Sequence, residues 1–106
     1  YILMELMAFK AYRMPEMEIR YWRTSTGREV DFLINDRVLA IEVKAAGRVH
    51  ETDASSLSAL AEDGPVKRRI IVCLERQRRE LRDSHGSIWL TPWKEFLDRL
   101  WSGDYV

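Results

Sequence analysis

Residues 29–44, EVDFLINDRVLAIEVK, constrain the fold more than any other stretch of the sequence. Two runs rich in β-branched and aromatic residues flank an Asn-Asp-Arg sequence, which is typical of a turn. Apolar residues alternate with other residues along both runs: Val30, Phe32 and Ile34 in the first, and Leu39, Ile41 and Val43 in the second. This alternation predicts a β-hairpin with one buried face that carries these six side chains.

Burial also limits how the two strands of this hairpin pair. Placing Val30 opposite Val43 keeps apolar residues opposite one another and sets Asp31 directly opposite Glu42. Shifting the register by one residue would place apolar residues of one strand opposite polar residues of the other, whereas a shift of two would still leave both acids on one face. The sequence therefore predicts that the two carboxylates share a face, and in the favoured register they are direct neighbours.

Two neighbouring carboxylates require a compensating charge. Opposite side chains in an antiparallel pair have Cβ atoms about 5 Å apart, and at an effective dielectric near 20 the repulsion is on the order of 3 kcal/mol. Mg²⁺ or Mn²⁺ would relieve this repulsion because both bind carboxylate oxygens, and Lys44 adds a positive charge beside Glu42. We therefore predict a metal site at Asp31, Glu42 and Lys44 that suits phosphodiester hydrolysis.

Further residues could support this site. Glu5 lies on a helical stripe with Ile2 and Phe9, so it should border the core and could reach the site. Arg23 and Arg48 flank the site in sequence and are candidate contacts for nucleic-acid phosphates. Each has a structural alternative: Glu5 could only favour the helix dipole, and Arg23 could stack on the neighbouring Trp22. For the site itself, the alternative is a solvated sheet face on which Lys44 pairs with Glu29.

The rest of the chain predicts an α/β fold in a single domain that spans residues 1–106. The predicted elements are a helix over residues 2–13, strands over 18–24, 29–34 and 38–45, a helix with Thr52 or Asp53 as N-cap that ends at Gly64, strands over 69–74 and 87–90, and a last helix with Thr91 as N-cap and Pro92 at its first position. Residues 75–86 are highly charged and are predicted only as a loop or a hairpin. The order α-β-β-β-α-β, then a short strand and a helix, indicates a mixed sheet flanked by helices.

Composition narrows the setting without choosing a partner. The 17 basic and 17 acidic residues cancel, so net charge gives no argument for a nucleic-acid or membrane partner. Cys73 is the sole cysteine, which excludes an intramolecular disulfide, and His50 and His85 lack partners at zinc-ligand spacing. No apolar run approaches the roughly 20 residues that a transmembrane helix needs. We therefore predict a cytoplasmic protein with no membrane contact.

An Asp followed after a short turn by Glu-x-Lys, on strands preceded by a Glu-bearing helix, resembles the PD-(D/E)xK nuclease superfamily. The core of that superfamily is α-β-β-β-α-β. YWRT-STG-REVDFLI followed by LAIEVKAAG and a Pro-Trp-x-x-Phe-Leu ending is similar to the C-terminal domain of a family of prokaryotic AAA-type ATPases of uncharacterised role. That likeness covers nearly the whole chain and implies that it is a C-terminal piece of a larger ATPase.

The resemblance implies roles for individual residues. Asp31 and Glu42 would bind Mg²⁺ or Mn²⁺ together with the carbonyl of Val43, Lys44 would be the catalytic lysine, and Glu5 would match the acidic residue of the first helix. The implied partners are nucleic acid, DNA more than RNA, and an N-terminal ATPase domain. Val30 replaces the proline of the named motif, and the chain has no Gly-x-x-x-x-Gly-Lys-Ser/Thr loop for ATP. Because the superfamily includes members that cleave nothing, the alternative is an inactive nuclease-fold module that binds nucleic acid or protein.

Overall fold

A six-stranded mixed β-sheet forms the centre of the computed structural model, which describes all 106 residues. Its strands are β1 (Ile19–Arg23), β2 (Glu29–Ile34), β3 (Leu39–Val43), β4 (Arg68–Cys73), β5 (Arg79–Asp83) and β6 (Gly86–Pro92). The helices are α1 (Ile2–Arg13), α2 (Ser55–Asp63) and α3 (Trp93–Trp101), and a short 3-10 helix, Glu51–Ala54, precedes α2. None of these helices is both long and apolar enough to cross a lipid bilayer.

The strand order is β1-β2-β3-β4-β6-β5. β1, β2 and β3 form an antiparallel meander, β4 runs parallel to both β3 and β6, and β5 pairs with β6 as an antiparallel edge strand. The chain reaches β4 from β3 through α2, because two parallel neighbours need a crossover connection. The predicted α/β class with a mixed sheet is confirmed.

Helices cover both faces of the sheet and create two hydrophobic cores. The first core lies under α1 and α3 and contains, among others, Leu6, Phe9, Ile41, Phe96 and Leu100. The second core lies under α2 and contains, among others, Leu33, Ala40, Leu57, Leu60 and Ile71. Central strands that are buried on both faces read as nearly continuous apolar runs, which explains the sequence RIIVC in β4.

The predicted hairpin is confirmed, and Phe32 pairs with Ile41 and Ile34 with Leu39 as the predicted register requires. The predicted pairs of Val30 with Val43 and of Asp31 with Glu42 are not formed, because the ladder ends at Phe32 and Ile41. Asn35 and Asp36 form its turn with φ of 49° and 62°, a left-handed conformation that Asn and Asp tolerate better than most residues. The prediction of one buried face was wrong, because both faces of the sheet are covered.

A β-bulge in β2 adds a second departure from simple alternation. Arg20 pairs with Leu33 and Trp22 with Val30, so three steps along β2 face two steps along β1. The extra residue, which lies between Val30 and Leu33, changes which face the side chains occupy. Val30 therefore packs in the second core, whereas Phe32 packs against the first.

Residues 75–86 agree with the hairpin that the sequence offered as one of two alternatives, because β5 pairs antiparallel with β6 and the turn lies between Asp83 and Gly86. Two further local predictions differ from the structure. Thr91 is not an N-cap: it is buried in the parallel ladder between β4 and β6, and α3 begins at Trp93 with Pro92 as its N-cap. Neither Thr52 nor Asp53 is the N-cap of α2, because both lie inside the 3-10 helix that starts after His50, and Ala54 is the N-cap of α2.

Candidate metal centre

Glu42 is the most unusual side chain of the molecule. It lies in β3 next to Ile71 of β4, on the face of the second core, and only 5% of it is exposed. Its Oε2 is buried without any hydrogen-bond partner. Burial raises the pKa of Glu42 to about 7; the positive charge of Lys44 opposes this, and the negative charge of Asp31 adds to it. A buried carboxylate with an unpaired oxygen is costly unless a partner supplies the missing interaction.

Asp31 stands at the bulge, next to the point where the ladder between β2 and β3 stops. The last backbone pair of that ladder is Phe32 and Ile41, and beyond it Asp31 Oδ2 accepts a hydrogen bond from the backbone N–H of Val43 at 2.8 Å. The side chain thus takes the place of the next backbone acceptor. This contact holds the Asp31 carboxylate at the residue after Glu42, and not in a backbone pair opposite Glu42 as the favoured register predicted.

Lys44 follows the end of β3. Its backbone N–H donates to Val72 O at 2.9 Å, which extends the parallel ladder by one residue. The side chain is half-buried and lines a mostly apolar cleft of about 340 Å³. The alternative ion pair with Glu29 is not formed, because Glu29 pairs with Arg23 at 2.8 Å. The ammonium group of Lys44 forms no salt bridge and acts on the carboxylate of Glu42.

The structure places Glu5 away from this cluster. Glu5 Oε1 accepts a hydrogen bond from the indole N–H of Trp101 at 3.3 Å, and Trp101 packs against the first core. Glu42 lies on the opposite face, and Glu5 is not one of the four charged residues that act most on it. The structure thus brings together Asp31, Glu42 and Lys44 and leaves Glu5 apart.

The two predicted arginines differ in their positions. Arg23 lines a small cleft of about 250 Å³ together with Asp31, and its guanidinium lies 5.9 Å from the ring centroid of Tyr21. The suggested stacking on Trp22 is absent, since Trp22 packs against the second core. Arg48 is exposed on the loop that follows β3, where its charge acts on Glu75.

Sequence reasoning missed Asp53 as a member of the cluster. Its carboxylate lies close enough to Glu42 to raise the pKa of that group, as does that of Glu29. Asp53 is eleven residues from Glu42, on the 3-10 helix that packs Ala54 into the second core. Only the path of the connecting loop brings the two acids together, so the sole signal in the sequence was an acidic residue shortly after the Glu-x-Lys strand.

The cluster of Asp31, Glu42 and Lys44 can offer oxygen ligands to a metal ion, but too few to surround it. No group of three or more His, Cys, Asp and Glu side chains is arranged to hold a metal ion. Two carboxylates, Asp31 and Glu42, and the carbonyl of Val43 remain as donors at one end of the hairpin. Mg²⁺ is commonly held by one or two carboxylates and keeps several waters, so this set suits a hard divalent cation better than zinc.

A six-stranded mixed sheet covered by helices, with acidic residues and one lysine gathered where β2 and β3 separate, defines an α/β domain with a candidate cation site. Residues 1–96 match the family model described as domain of unknown function DUF4143. The chain belongs to the DUF4143 family. Neither a curated protein nor a solved structure matches it.

Proposed function

We propose that this domain is a Mg²⁺- or Mn²⁺-dependent phosphodiesterase of the PD-(D/E)xK type that acts on nucleic acid. The observation that carries the proposal is the buried carboxylate of Glu42, which has an unpaired Oε2 and lies beside Asp31 and Lys44. A structural role does not account for a buried, unpaired acid next to further acids, because each such group destabilises the fold. A bound cation would supply the missing partner.

The residues present fit such an ion. Asp31 is already oriented by the N–H of Val43, and Glu42 has one oxygen with no competing partner. With Asp31, Glu42 and the Val43 carbonyl as ligands, Mg²⁺ would polarise the phosphate and lower the pKa of an attacking water.

Lys44 has the second chemical role in this proposal. Lys44 is half-buried and its ammonium group forms no salt bridge, so this group can hold the attacking water or stabilise the negative charge that develops on the phosphate. Arg23 shares a cleft with Asp31 and is the better placed of the two arginines to contact a neighbouring phosphate. The resemblance favours DNA over RNA and an N-terminal ATPase domain as partner.

Metal binding and cleavage separate this proposal from an inactive nuclease-fold module. We would measure Mn²⁺ binding by calorimetry and cleavage of single- and double-stranded DNA and RNA for the wild type, Asp31→Asn and Lys44→Ala. Asp31→Asn keeps an oxygen to accept the Val43 hydrogen bond but loses its charge, so Mn²⁺ affinity should fall at least tenfold. Lys44→Ala should retain Mn²⁺ and lose cleavage by about 10² to 10³-fold.

Glu62→Gln is the control, since Glu62 is an exposed residue of α2 and the variant has the same charge change as Asp31→Asn. It should bind Mn²⁺ and cleave like the wild type. Folded wild-type protein that takes up no Mn²⁺ would refute the metal site. Mn²⁺ uptake without cleavage of any of these substrates would instead support the inactive module.

A further inference from the structure

We propose that the apolar cleft beside Lys44 receives the base of an unpaired nucleotide, so that the nucleic acid bound by this domain is single-stranded or locally unpaired. This inference rests on the proposed function and deepens it, because it names the substrate class that the site around Glu42 would take. It gives a role to a surface that lies outside the Asp and Glu-x-Lys pattern.

The cleft lies at the carboxyl ends of the three parallel strands of the sheet. β3, β4 and β6 run in the same direction, and the cleft is lined by residues at or just after the end of each, among them Val43, Lys44, Cys73, Leu74 and Trp93. In open α/β sheets, ligands bind in the crevice outside the carboxyl ends of the strands. The cleft is therefore at the edge of the sheet where a ligand is expected.

The walls of the cleft are apolar and partly open to solvent. Its volume is about 340 Å³, and eight of its nine lining residues are hydrophobic. Leu74 is 53% exposed and Val43 is 37% exposed, and apolar side chains exposed side by side mark a binding surface. Because small-molecule clefts span about 300 to 1,000 Å³, this one suits a flat ring system of the size of a nucleobase.

Trp93 supplies an aromatic wall that is already held in place. It packs against the first core, and its ring meets that of Tyr1 edge to face with ring centroids 5.8 Å apart. Aromatic side chains are the usual platforms for single strands, because every base has a π-face that can stack. In a duplex the neighbouring base pairs cover those faces, so only an unpaired or extruded base can enter such a cleft.

Two lysines at the cleft supply positive charge for phosphates. Every ion pair of the molecule is formed by an arginine, so Lys44 and Lys94 have no acidic partner. Lys44 lines the cleft, and Lys94 Nζ lies 5.6 Å from the centroid of the Trp93 ring. An apolar protein segment would gain nothing from two unpaired ammonium groups, whereas a nucleotide carries a phosphate close to its base.

A second cleft, of about 420 Å³, shares two of these walls and extends the surface. Arg76 and Lys94 line it, and Arg76 is in no ion pair either. Two of its three acids, Glu75 and Glu95, are paired with arginines, which leaves Asp98 as the one unpaired acid. The unpaired cations outnumber the unpaired acids there, which suits the phosphate of the next nucleotide.

Lys44 connects the cleft to the proposed cation site. It lies two residues after Glu42 and directly follows Val43, whose backbone N–H is bonded to Asp31 at 2.8 Å. A base in the cleft would bring its own phosphate toward Lys44 and these two acids. Hydrolysis at the proposed site would therefore act next to an unpaired nucleotide.

The test measures the binding of fluorescently labelled strands by anisotropy in EDTA, so that no metal takes part. The probes are a single strand of about 12 thymidine nucleotides, its duplex with a complementary strand, and a strand of equal length built only of abasic sugar-phosphate units. The wild type should bind the single strand about tenfold more tightly than either of the other two probes, because only the single strand offers bases that can stack.

Trp93→Ala should weaken binding of the single strand about tenfold and leave binding of the abasic strand unchanged. Leu74→Ser is the second variant should Trp93→Ala fail to fold, because Leu74 is exposed, and it should weaken binding severalfold. Leu3→Ser is the matched control, since Leu3 is an exposed leucine of α1 outside the cleft. Its affinity should stay within twofold of the wild type.

Lys94→Ala tests the phosphate contact separately. It should weaken binding of the single strand and the abasic strand alike, and lower the slope of log affinity against log salt by about 0.7, the value for one contact to a single strand. Lys67→Ala is the control, because Lys67 is exposed and precedes β4 at the opposite end of that strand. It should leave the salt slope unchanged.

Three outcomes would overturn the inference. Folded Trp93→Ala and Leu74→Ser that bind the single strand like the wild type would show that no base enters the cleft. Equal binding of the single strand and the abasic strand or duplex would show that only the phosphate backbone is recognised. Wild-type protein that binds none of the probes would indicate that a protein segment covers the cleft instead.

Failure of the proposed function can be told apart from these outcomes. Wild-type protein that prefers the single strand in EDTA but takes up no Mn²⁺ would support the base cleft and refute the metal site. Mn²⁺ uptake and cleavage without any preference for the single strand would support the proposed function and overturn this inference alone.

Discussion

Replacing Glu42 with Gln should stabilise the domain at pH 8 and leave its stability unchanged at pH 4. Burial, with the like charge of Asp31 adding to it, moves the pKa of Glu42 from 4.5 to about 7. Each pKa unit corresponds to about 1.36 kcal/mol between the two protonation states, so ionised Glu42 costs on the order of 3 kcal/mol. Gln has the shape of the protonated acid and avoids this cost.

The direction of the pH dependence follows from proton binding. The folded state binds the Glu42 proton more tightly than the unfolded state does. The unfolding free energy of the wild type therefore falls as pH rises from about 4.5 to about 7. Urea unfolding from pH 4 to pH 8 measures the effect. With an unfolding slope of roughly 1.5 kcal/mol per molar urea, the midpoint of Glu42→Gln should lie about 2 M above that of the wild type at pH 8.

Added Mn²⁺ extends the same experiment. A cation bound at Glu42 stabilises only the folded state, so saturating Mn²⁺ at pH 8 should raise the midpoint of the wild type and leave Glu42→Gln nearly unchanged. Glu62→Gln, at an exposed position of α2, should stay within about 0.5 kcal/mol of the wild type at every pH. A difference between Glu42→Gln and wild type that does not vary with pH, or lower stability of the variant at pH 8, would refute the reasoning.

The remaining predictions concern stability away from the site. The Arg69 guanidinium holds the pKa of Asp83 well below its usual 3.8. The ion pair therefore contributes to the free energy of unfolding above about pH 4, and this contribution is lost as pH falls further. Asp83→Asn leaves Arg69, which is 3% exposed, without its counter-ion. The variant should lose about 3 kcal/mol of unfolding free energy in urea at pH 7, and clearly less at pH 2. A loss under about 1 kcal/mol at pH 7 contradicts this prediction. Phe96→Ala removes a fully buried ring that stacks on Tyr105 with ring centroids 5.4 Å apart. The variant should lose about 3 to 5 kcal/mol of unfolding free energy in the same assay, equally at pH 5 and pH 8. A smaller loss, or one that varies with pH, argues against this packing.

The spacing of apolar residues along the chain predicted those helices and strands whose pattern is local. The first helix, Ile2–Arg13, agrees with its predicted bounds, and the register of the β2–β3 hairpin follows from apolar residues that face one another. The bounds of β5 were not predicted because its alternation is carried largely by charged residues, and the less exposed ones, Arg79 and Asp83, pair with Glu75 and Arg69. Only the tertiary partners show that such side chains point inward.

The candidate site was predictable to a similar extent. Asp31, Glu42 and Lys44 follow from one hairpin, so their proximity is local information. Asp53 depends on the path of a loop, and the contact of Glu5 with Trp101 depends on how the first and last helices pack. Long-range arrangements of this kind are not encoded in any short pattern of residue types.

The bulge in β2 makes the length of this strand, and not only its composition, part of the site. Since Asp31 lies in the stretch between Val30 and Leu33 that contains the bulge, removing the extra residue would restore plain alternation and rotate the acid away from Val43. A relative with all the acidic residues but one residue fewer in this strand would keep the motif in its sequence and lose it in space. The number of residues in β2 therefore distinguishes proteins that share the geometry of this site from proteins that share only its residue types.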